Sequence, residues 1–169
     1  MRESTDDLWT LQADARCIPI NGSFKAPSGE LLARGLPKAA IDRYANLEKR
    51  VAGYLVLHGN HTGVLIEQGE EASLPLVVLP VRHAYEERAD LALVRRSLSE
   101  LVLLTTARGW QTVVLPRVGC AVGKGYGIDG LVWERVGRMA APMLDDRFVV
   151  VAREMRASWK KRLAEQGHL

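Results

Sequence analysis

Cysteine is scarce in this chain: Cys17 and Cys120 are the two among 169 residues, and they have no partner spacing. That argues against a disulfide framework or a cysteine-based zinc site and points to a reducing, cytoplasmic setting. Long apolar runs are lacking as well. The opening Met-Arg-Glu-Ser-Thr-Asp-Asp has no apolar core of a signal peptide, and no later stretch is long enough to span a bilayer. The sequence therefore reads as soluble and intracellular, with no membrane partner. Charge is nearly balanced. A net charge of +3 and a pI near 9.0 suit an anionic small molecule and say little for nucleic acid. No internal repeat, low-complexity segment or linker divides the chain, whose length suits one domain burying roughly two-thirds of the surface of its unfolded form.

What is abundant is glycine in one place. From Val113 to Trp133 the chain reads Val-Val-Leu-Pro-Arg-Val-Gly-Cys-Ala-Val-Gly-Lys-Gly-Tyr-Gly-Ile-Asp-Gly-Leu-Val-Trp. Val113, Val114 and Leu115 form an apolar run rich in β-branched residues that Pro116 stops, since proline cannot donate to a central ladder. Gly119, Gly123, Gly125, Gly127 and Gly130 let a ligand approach main-chain amides. Asp129 then precedes Leu131, Val132, Trp133, Val136, Met139, Ala140 and Met143, spaced as an amphipathic helix. Strand, glycine loop and helix start together make an anion site suited to a phosphate or diphosphate.

A second strand–loop–helix unit lies upstream. Ala15–Ile20 reads as a strand with an imperfection near Pro19, the Asn21-Gly22 turn follows, and a loop through Arg34 leads to a helix near Leu36-Pro37. Ile41, Tyr44, Leu47, Val51 and Leu55 give a helical stripe in two pieces, broken near Asn46 and ending at His58-Gly59-Asn60. Gly63–Glu67 reads as a strand, 68–73 as a polar turn, and Leu74–Val81 as a central strand. Asp90 caps a long helix that Gly109 ends. Arg147–Ala152 is another buried strand, and 154–166 reads as a helix with Met155, Trp159 and Leu163 among basic residues. Such alternation predicts an α/β/α fold with mostly parallel strands. Its ligand belongs beyond the strands' carboxyl ends, where loops 21–35 and 117–130 converge. Two glycine-containing loops on one rim suit an elongated ligand, a diphosphate with a sugar or nucleoside at each end.

Three segments resemble the ADP-ribose-binding macrodomains, in particular the phage-type branch that includes terminal ADP-ribose glycohydrolase. Leu-Pro-Arg-Val-Gly-Cys at 115–120 with Asp-Gly-Leu-Val-Trp-Glu at 129–134 is similar to the diphosphate-binding second loop and its helix. Leu-Ala-Arg-Gly-Leu at 32–36 is similar to the first phosphate loop, and Asp-Asp-Leu-Trp at 6–9 places Asp7 on the acidic residue that receives adenine's amino group. The resemblance covers roughly Asp6 to Ala152. It implies a three-layer macrodomain over residues 1–152, with a mixed, mostly parallel six-stranded sheet, followed by a basic helix at 153–169. It also implies ADP-ribose on the rim. Asp7, with Leu8 beside it, would hold adenine, and Asn21 would lie near the distal ribose. The main chain of Gly35 and Leu36, and of Pro116, Arg117, Val118, Gly119, Cys120, Ala121, Val122 and Gly123, would line the diphosphate. No cofactor is implied.

Some members of this branch hydrolyse the bond joining ADP-ribose to a protein or nucleic-acid group, using a lysine at the end of the central strand and an aspartate in the second loop. The aspartate position falls on Asp129 and the lysine position on Arg82. A lysine amine can lose its proton and attack the opened sugar's carbonyl, whereas a guanidinium stays protonated and cannot. Arg82 can still hold a phosphate or a ribose hydroxyl. The second loop is also longer than in the family, by residues around 123–127.

Several residues have plainer roles. Asp129 reads as the N-cap of a helix starting at Gly130, as a catalyst, or as both. Gly-Cys-Ala-Val-Gly-Lys-Gly has three residues between its first glycines where a triphosphate-binding loop has four, and no Ser/Thr follows Lys124. Triphosphate hydrolysis is rejected. Cys120 reads as a small packing residue, since no histidine has the context of a base, and Trp133 as core. His58 and His61 flank a turn, so no metal is assigned. Arg82 and His83 end a strand on the ligand rim. The basic tail reads as a solvated helix face or, as a lesser reading, a nucleic-acid contact. The functional readings are then three. One is a macrodomain that binds ADP-ribose, free or on a macromolecule, and hydrolyses its linkage, with Asp129 positioning or activating water and Arg82 steadying the distal ribose. The second is a reader without turnover. The third is a module for another nucleotide-derived ligand.

Overall fold

The computed structural model describes residues 1–22, 36–69, 72–84, 87–120 and 131–152. Within them the chain runs β1 (Arg2–Ser4), β2 (Ala15–Asn21), α1 (Leu36–Ile41), α2 (Leu47–His58), β3 (Gly63–Ile66), β4 (Leu76–Arg82), α3 (Leu91–Arg108), β5 (Val113–Pro116), α4 (Trp133–Ala140) and β6 (Phe148–Val151). The six strands form one sheet in the order β1-β6-β5-β2-β4-β3. Every pairing is parallel except β3 against β4. This is the mixed, mostly parallel sheet expected.

Side chains alternate across the strands, and the alternation builds the layers. Ala15, Cys17, Val77, Leu79, Val113, Leu115, Phe148 and Val150 point to one face, where they pack with Val94, Leu98 and Leu101 of α3 and with Val136 and Ala140 of α4. Ile18, Ile20, Leu76 and Val78 point to the other and meet Ala40 of α1 and Leu47, Val51 and Leu55 of α2. Helices cover both faces, which is why β4 can be apolar at nearly every position. Among the described residues, the β5–β6 part of the second face is covered by the segment after β1. Leu8, in the turn after β1, packs on Val114, Val149 and Val151, so residues 7–11 serve as part of that layer.

Local signals explain the helix limits. Asn46 takes a left-handed conformation (φ 56°) between α1 and α2, a region that asparagine tolerates better than most residues, and this breaks the stripe in two. Asp90 accepts from Ala92 N at 2.9 Å and starts α3. Gly109 (φ 69°) ends it, with Trp110 N bonded to the Thr105 carbonyl at 3.1 Å and Gly109 N to Thr106 at 3.2 Å. Between Ile20 and Asn21 the β2/β4 register slips, so that Ile20 faces Pro80 and Asn21 faces Arg82. Pro80 brings no N–H to the ladder, and the extra residue at Val81 makes a bulge that turns the strand end. The Pro80 carbonyl takes the buried Ser97 hydroxyl of α3 instead, at 2.7 Å.

Three expectations need correction. The helix after the glycine loop begins at Trp133, with Val132 in the N-cap position and no side chain capping it. The helix therefore does not start at Gly130, and its N-cap position is Val132 in place of Asp129, which itself lies outside the described residues. Val132, placed on the apolar face by its spacing, is exposed, and Met143 lies in the turn after α4. The strand Arg2–Ser4 had no apolar signal and is an additional element: an edge strand of polar residues, which its position permits. The basic tail at 153–169 lies outside the described residues. Among those described, no helix is long and apolar enough to cross a membrane.

Candidate functional site

Because β1, β6, β5, β2 and β4 are parallel, their carboxyl ends share one edge of the sheet. Ser4, Val151, Pro116, Asn21 and Arg82 are the residues there. Both sequence-predicted loops leave from this edge. A concavity of about 550 Å³ lined by Thr10, Leu11, Asp14, Arg16 and Thr112 lies at the opposite edge, where β2 and β5 begin. Ligands of such sheets sit at carboxyl ends, so the candidate site is the first edge.

The turn after β5 is the best-defined part of it. Cys120 N bonds to the Arg117 carbonyl at 3.3 Å, and Gly119 between them has φ 72°, a value that favours glycine. Space is tight as well. A Cβ on Gly119 would lie 3.2 Å from Val94 Cγ2, 3.4 Å from Leu131 Cδ1 and 3.5 Å from Ala89 Cβ. The Gly119 carbonyl accepts from Leu131 N at 2.6 Å, which brings the two ends of the glycine-rich stretch together. Val118 is buried beneath it.

The side chain of Arg117 has its own partners. Its guanidinium donates to Glu3 Oε2 at 2.7 Å and lies over the Trp133 ring at 5.2 Å, while Trp133 Nε1 donates to Glu3 Oε1 at 3.0 Å. The Arg117 bond, then the Trp133 bond, holds the Glu3 carboxyl below its ordinary range. Trp133, expected in the core, is partly exposed: its ring packs on the core while its N–H serves this rim cluster. Arg117 can thus contribute to a ligand site through its main chain while its charge is committed to Glu3.

Cys120 is half-buried against the core, with Sγ 3.4 Å from the Val118 carbonyl. Burial pushes its thiol up to about 11, outweighing the lowering effect of Arg117. It is a packing thiol at neutral pH, as its setting in the sequence suggested.

Asn21 and Arg82 are brought together by the β2/β4 register. Gly22 N donates to the Arg82 carbonyl at 2.9 Å, and Asn60 Nδ2 reaches the same oxygen at 3.5 Å. His83, next along, pairs Nε2 with Asp90 Oδ2 at 3.0 Å. The Ala92 amide first, and His83 second, depress the Asp90 carboxyl.

Asp7 is exposed, in a turn that its own groups shape. Its Oδ1 accepts from Trp9 N at 2.8 Å, and its carbonyl accepts from Thr10 N at 3.0 Å and Leu11 N at 3.3 Å. Leu8 is buried under it. The residue that sequence reading missed here is Arg16. From β2 its Nε donates to the Leu8 carbonyl and its Nη2 to that of Leu11, each at 2.9 Å, tying the turn to the sheet. An arginine inside the otherwise apolar Ala-Arg-Cys-Ile-Pro-Ile strand was the available signal. Trp9 extends the connection to the helical layer, 6.2 Å from the Tyr44 ring and under the Arg43 guanidinium at 4.6 Å.

Of the remaining sequence-predicted residues, Pro116 ends β5 and Leu36 begins α1. Gly35, Ala121, Val122, Gly123 and Asp129 lie outside the described residues. Among the described residues no group of His, Cys, Asp and Glu is arranged to hold a metal ion. His61 is engaged with Glu100, Nδ1 to Oε1 at 2.7 Å.

A three-layer α/β protein with one antiparallel edge strand and a glycine turn at the carboxyl edge is thus defined by the fold and site. Comparison with solved structures makes this particular: the chain has the macrodomain fold. It superposes on the macrodomain of Mycobacterium tuberculosis DarG with a TM-score of 0.70 at 16% identity, covering 90% of this chain and 97% of the other. The macrodomain of Thermus aquaticus DarG gives 0.68 at 14% identity with the same coverage. Thermosipho africanus DarTG, solved in complex with ADP-ribose, gives 0.69 at 13% identity, over 89% of this chain and 41% of that one. No protein-family model matches the sequence, and neither does any curated protein.

Proposed function

We propose that this chain binds ADP-ribose, free or attached to a protein or nucleic acid, along the carboxyl edge of its sheet. Asp7 accepts the adenine amino group, with Leu8 beside it, and the diphosphate lies on the main chain of Gly35–Leu36 and of the run from Pro116 to Gly123. Asn21 and Arg82 meet the distal ribose. The observation that carries this reading is the Gly119 turn, whose positive φ favours glycine and whose surroundings leave a Cβ little room, at the edge from which the two loops leave. A solved relative in fold carries ADP-ribose, which supports the choice of ligand.

Binding without turnover is the reading favoured over hydrolysis, and Arg82 with the lengthened second loop supports it. Arg82 stands where the family resemblance places a lysine, and its guanidinium stays protonated, so it cannot form an imine with the opened sugar. A hydrolytic reading rests on Asp129, which would position or activate water at the anomeric carbon while Arg82 stabilises developing charge.

Titration calorimetry with ADP-ribose, followed by a release assay on ADP-ribosylated protein and DNA, tests both. The expected result is binding without release. Release that disappears in Asp129→Ala would establish a hydrolase, and no binding would remove the proposed ligand. The basic tail is examined in the same assay, as a difference between protein and DNA carriers.

A further inference from the structure

At the end of β4 one carbonyl gathers groups from distant parts of the chain. The Arg82 oxygen accepts from Gly22 N at 2.9 Å and from Asn60 Nδ2 at 3.5 Å. Asn60 belongs to the turn between α2 and β3, far from either strand end in sequence. Its carboxamide is pressed against the backbone of Gly22: a Cβ there would come within 2.6 Å of Asn60 Cγ and Nδ2 and 2.8 Å of Oδ1. Glycine at position 22 and asparagine at position 60 are therefore fitted to one another.

The turn that presents Asn60 is mounted on α3. Glu100 takes His61 Nδ1 on Oε1 and Thr62 N on Oε2, each at 2.7 Å. Thr62 Oγ1 donates to the Ser97 carbonyl at 3.1 Å, and Arg96 Nη2 donates to the Asn60 carbonyl. Asn60 Oδ1 is nevertheless buried without a donor among the described residues. In this half-buried residue an amide oxygen left without a donor costs stability. The Asn60 carboxamide lies against the Arg82 carbonyl and the Gly22 backbone, directly beside Asn21.

We infer that Asn60 is a positioning residue for the distal-ribose end of the cleft, acting through Asn21, Gly22 and Arg82 without touching the ligand. This rests on the ADP-ribose reading above. It makes α3 and the α2–β3 turn part of the site's support, although neither carries a phosphate-binding motif.

The test compares ADP-ribose with ADP, which lacks the distal ribose, by calorimetry on the full chain. Asn60→Asp keeps the side chain's size but turns an acceptor toward the Arg82 carbonyl. It should weaken ADP-ribose binding roughly tenfold and ADP binding less than about twofold. Arg96→Gln, on an exposed face of α3, loosens the same turn and should shift the ratio the same way by a smaller factor. Gly22→Ala should reproduce the selective loss, and combining it with Asn60→Ala should relieve it, because the new Cβ then has room. Equal losses for both ligands, or none, in folded Asn60→Asp and Arg96→Gln would overturn the positioning role and leave the ligand assignment standing. Failure of the unaltered chain to bind ADP-ribose would overturn the assignment and this inference together.

Discussion

Gly119 is constrained twice, by a positive φ and by Val94, Leu131 and Ala89 around the place its Cβ would occupy. Gly119→Ala should therefore lower stability by ~1–3 kcal/mol and weaken ADP-ribose binding, checked by urea denaturation and calorimetry on the same sample. Asp7 is the contrasting case, exposed and shaped by local bonds rather than packing. Asp7→Ala should weaken ADP-ribose binding by about 1–2 kcal/mol, roughly tenfold, with a smaller effect on stability. Cys120 offers a pH readout. Its thiol is raised to about 11 by burial, so only the small thiolate fraction reacts at neutral pH and alkylation should keep accelerating up to about that pH. A plateau near the ordinary thiol range would contradict the half-buried setting. Cys17, fully buried with its thiol pushed far up, should stay unlabelled in the folded chain.

At the scale of elements, α3 carries caps at both ends, and these were legible in the sequence as Asp90 and Gly109. Asp90→Ala should cost ~1 kcal/mol, seen as a lower urea midpoint. The helix after the glycine loop was less legible, because Leu131 and Val132 continue its apolar spacing beyond its actual start. Spacing reports which residues could share a face, while the first turn is decided by backbone bonds such as Leu131 N to Gly119. The strand Arg2–Ser4 was illegible for a different reason. It lies at a sheet edge and takes its order from pairing with β6, so its own residues need no apolar pattern. Yet Glu3 in that strand holds Arg117 and Trp133. Its carboxyl is depressed in the folded state, so the stability it contributes is present above the unfolded carboxylate range and lost as pH falls through the depressed value. Glu3→Gln should flatten the acid limb of a pH–stability profile. Added salt should shrink the difference, since both partners are partly exposed.

For the molecule as a whole, the layer order followed from alternating strands and helices, and the sheet's buried runs were visible from 15 to 151. The candidate edge was legible in the sequence at Gly119, where a positive φ favours glycine, and at Asn21-Gly22, which reads as a turn. It was illegible where polar side chains bridge segments distant in sequence. Arg16 reaches the Leu8 and Leu11 carbonyls, and Asn60 reaches Arg82, and neither contact leaves a spacing to read.

The pairing of β1 with β6 joins Arg2 to Val149 and Ser4 to Val151. Among the described residues β1 has no other strand beside it. During synthesis, then, the segment leading to Asp7 must wait for nearly the entire domain to emerge before its strand can be built into the sheet. Closing so long a loop is slow, which sets this step late in folding. A nascent chain stalled before position 148 would retain the Arg16 and Val114 contacts of the Asp7 turn but leave β1 without its partner strand and Leu8 without Val149 and Val151. If Asp7 receives adenine as proposed, full ADP-ribose affinity should appear only with the finished sheet.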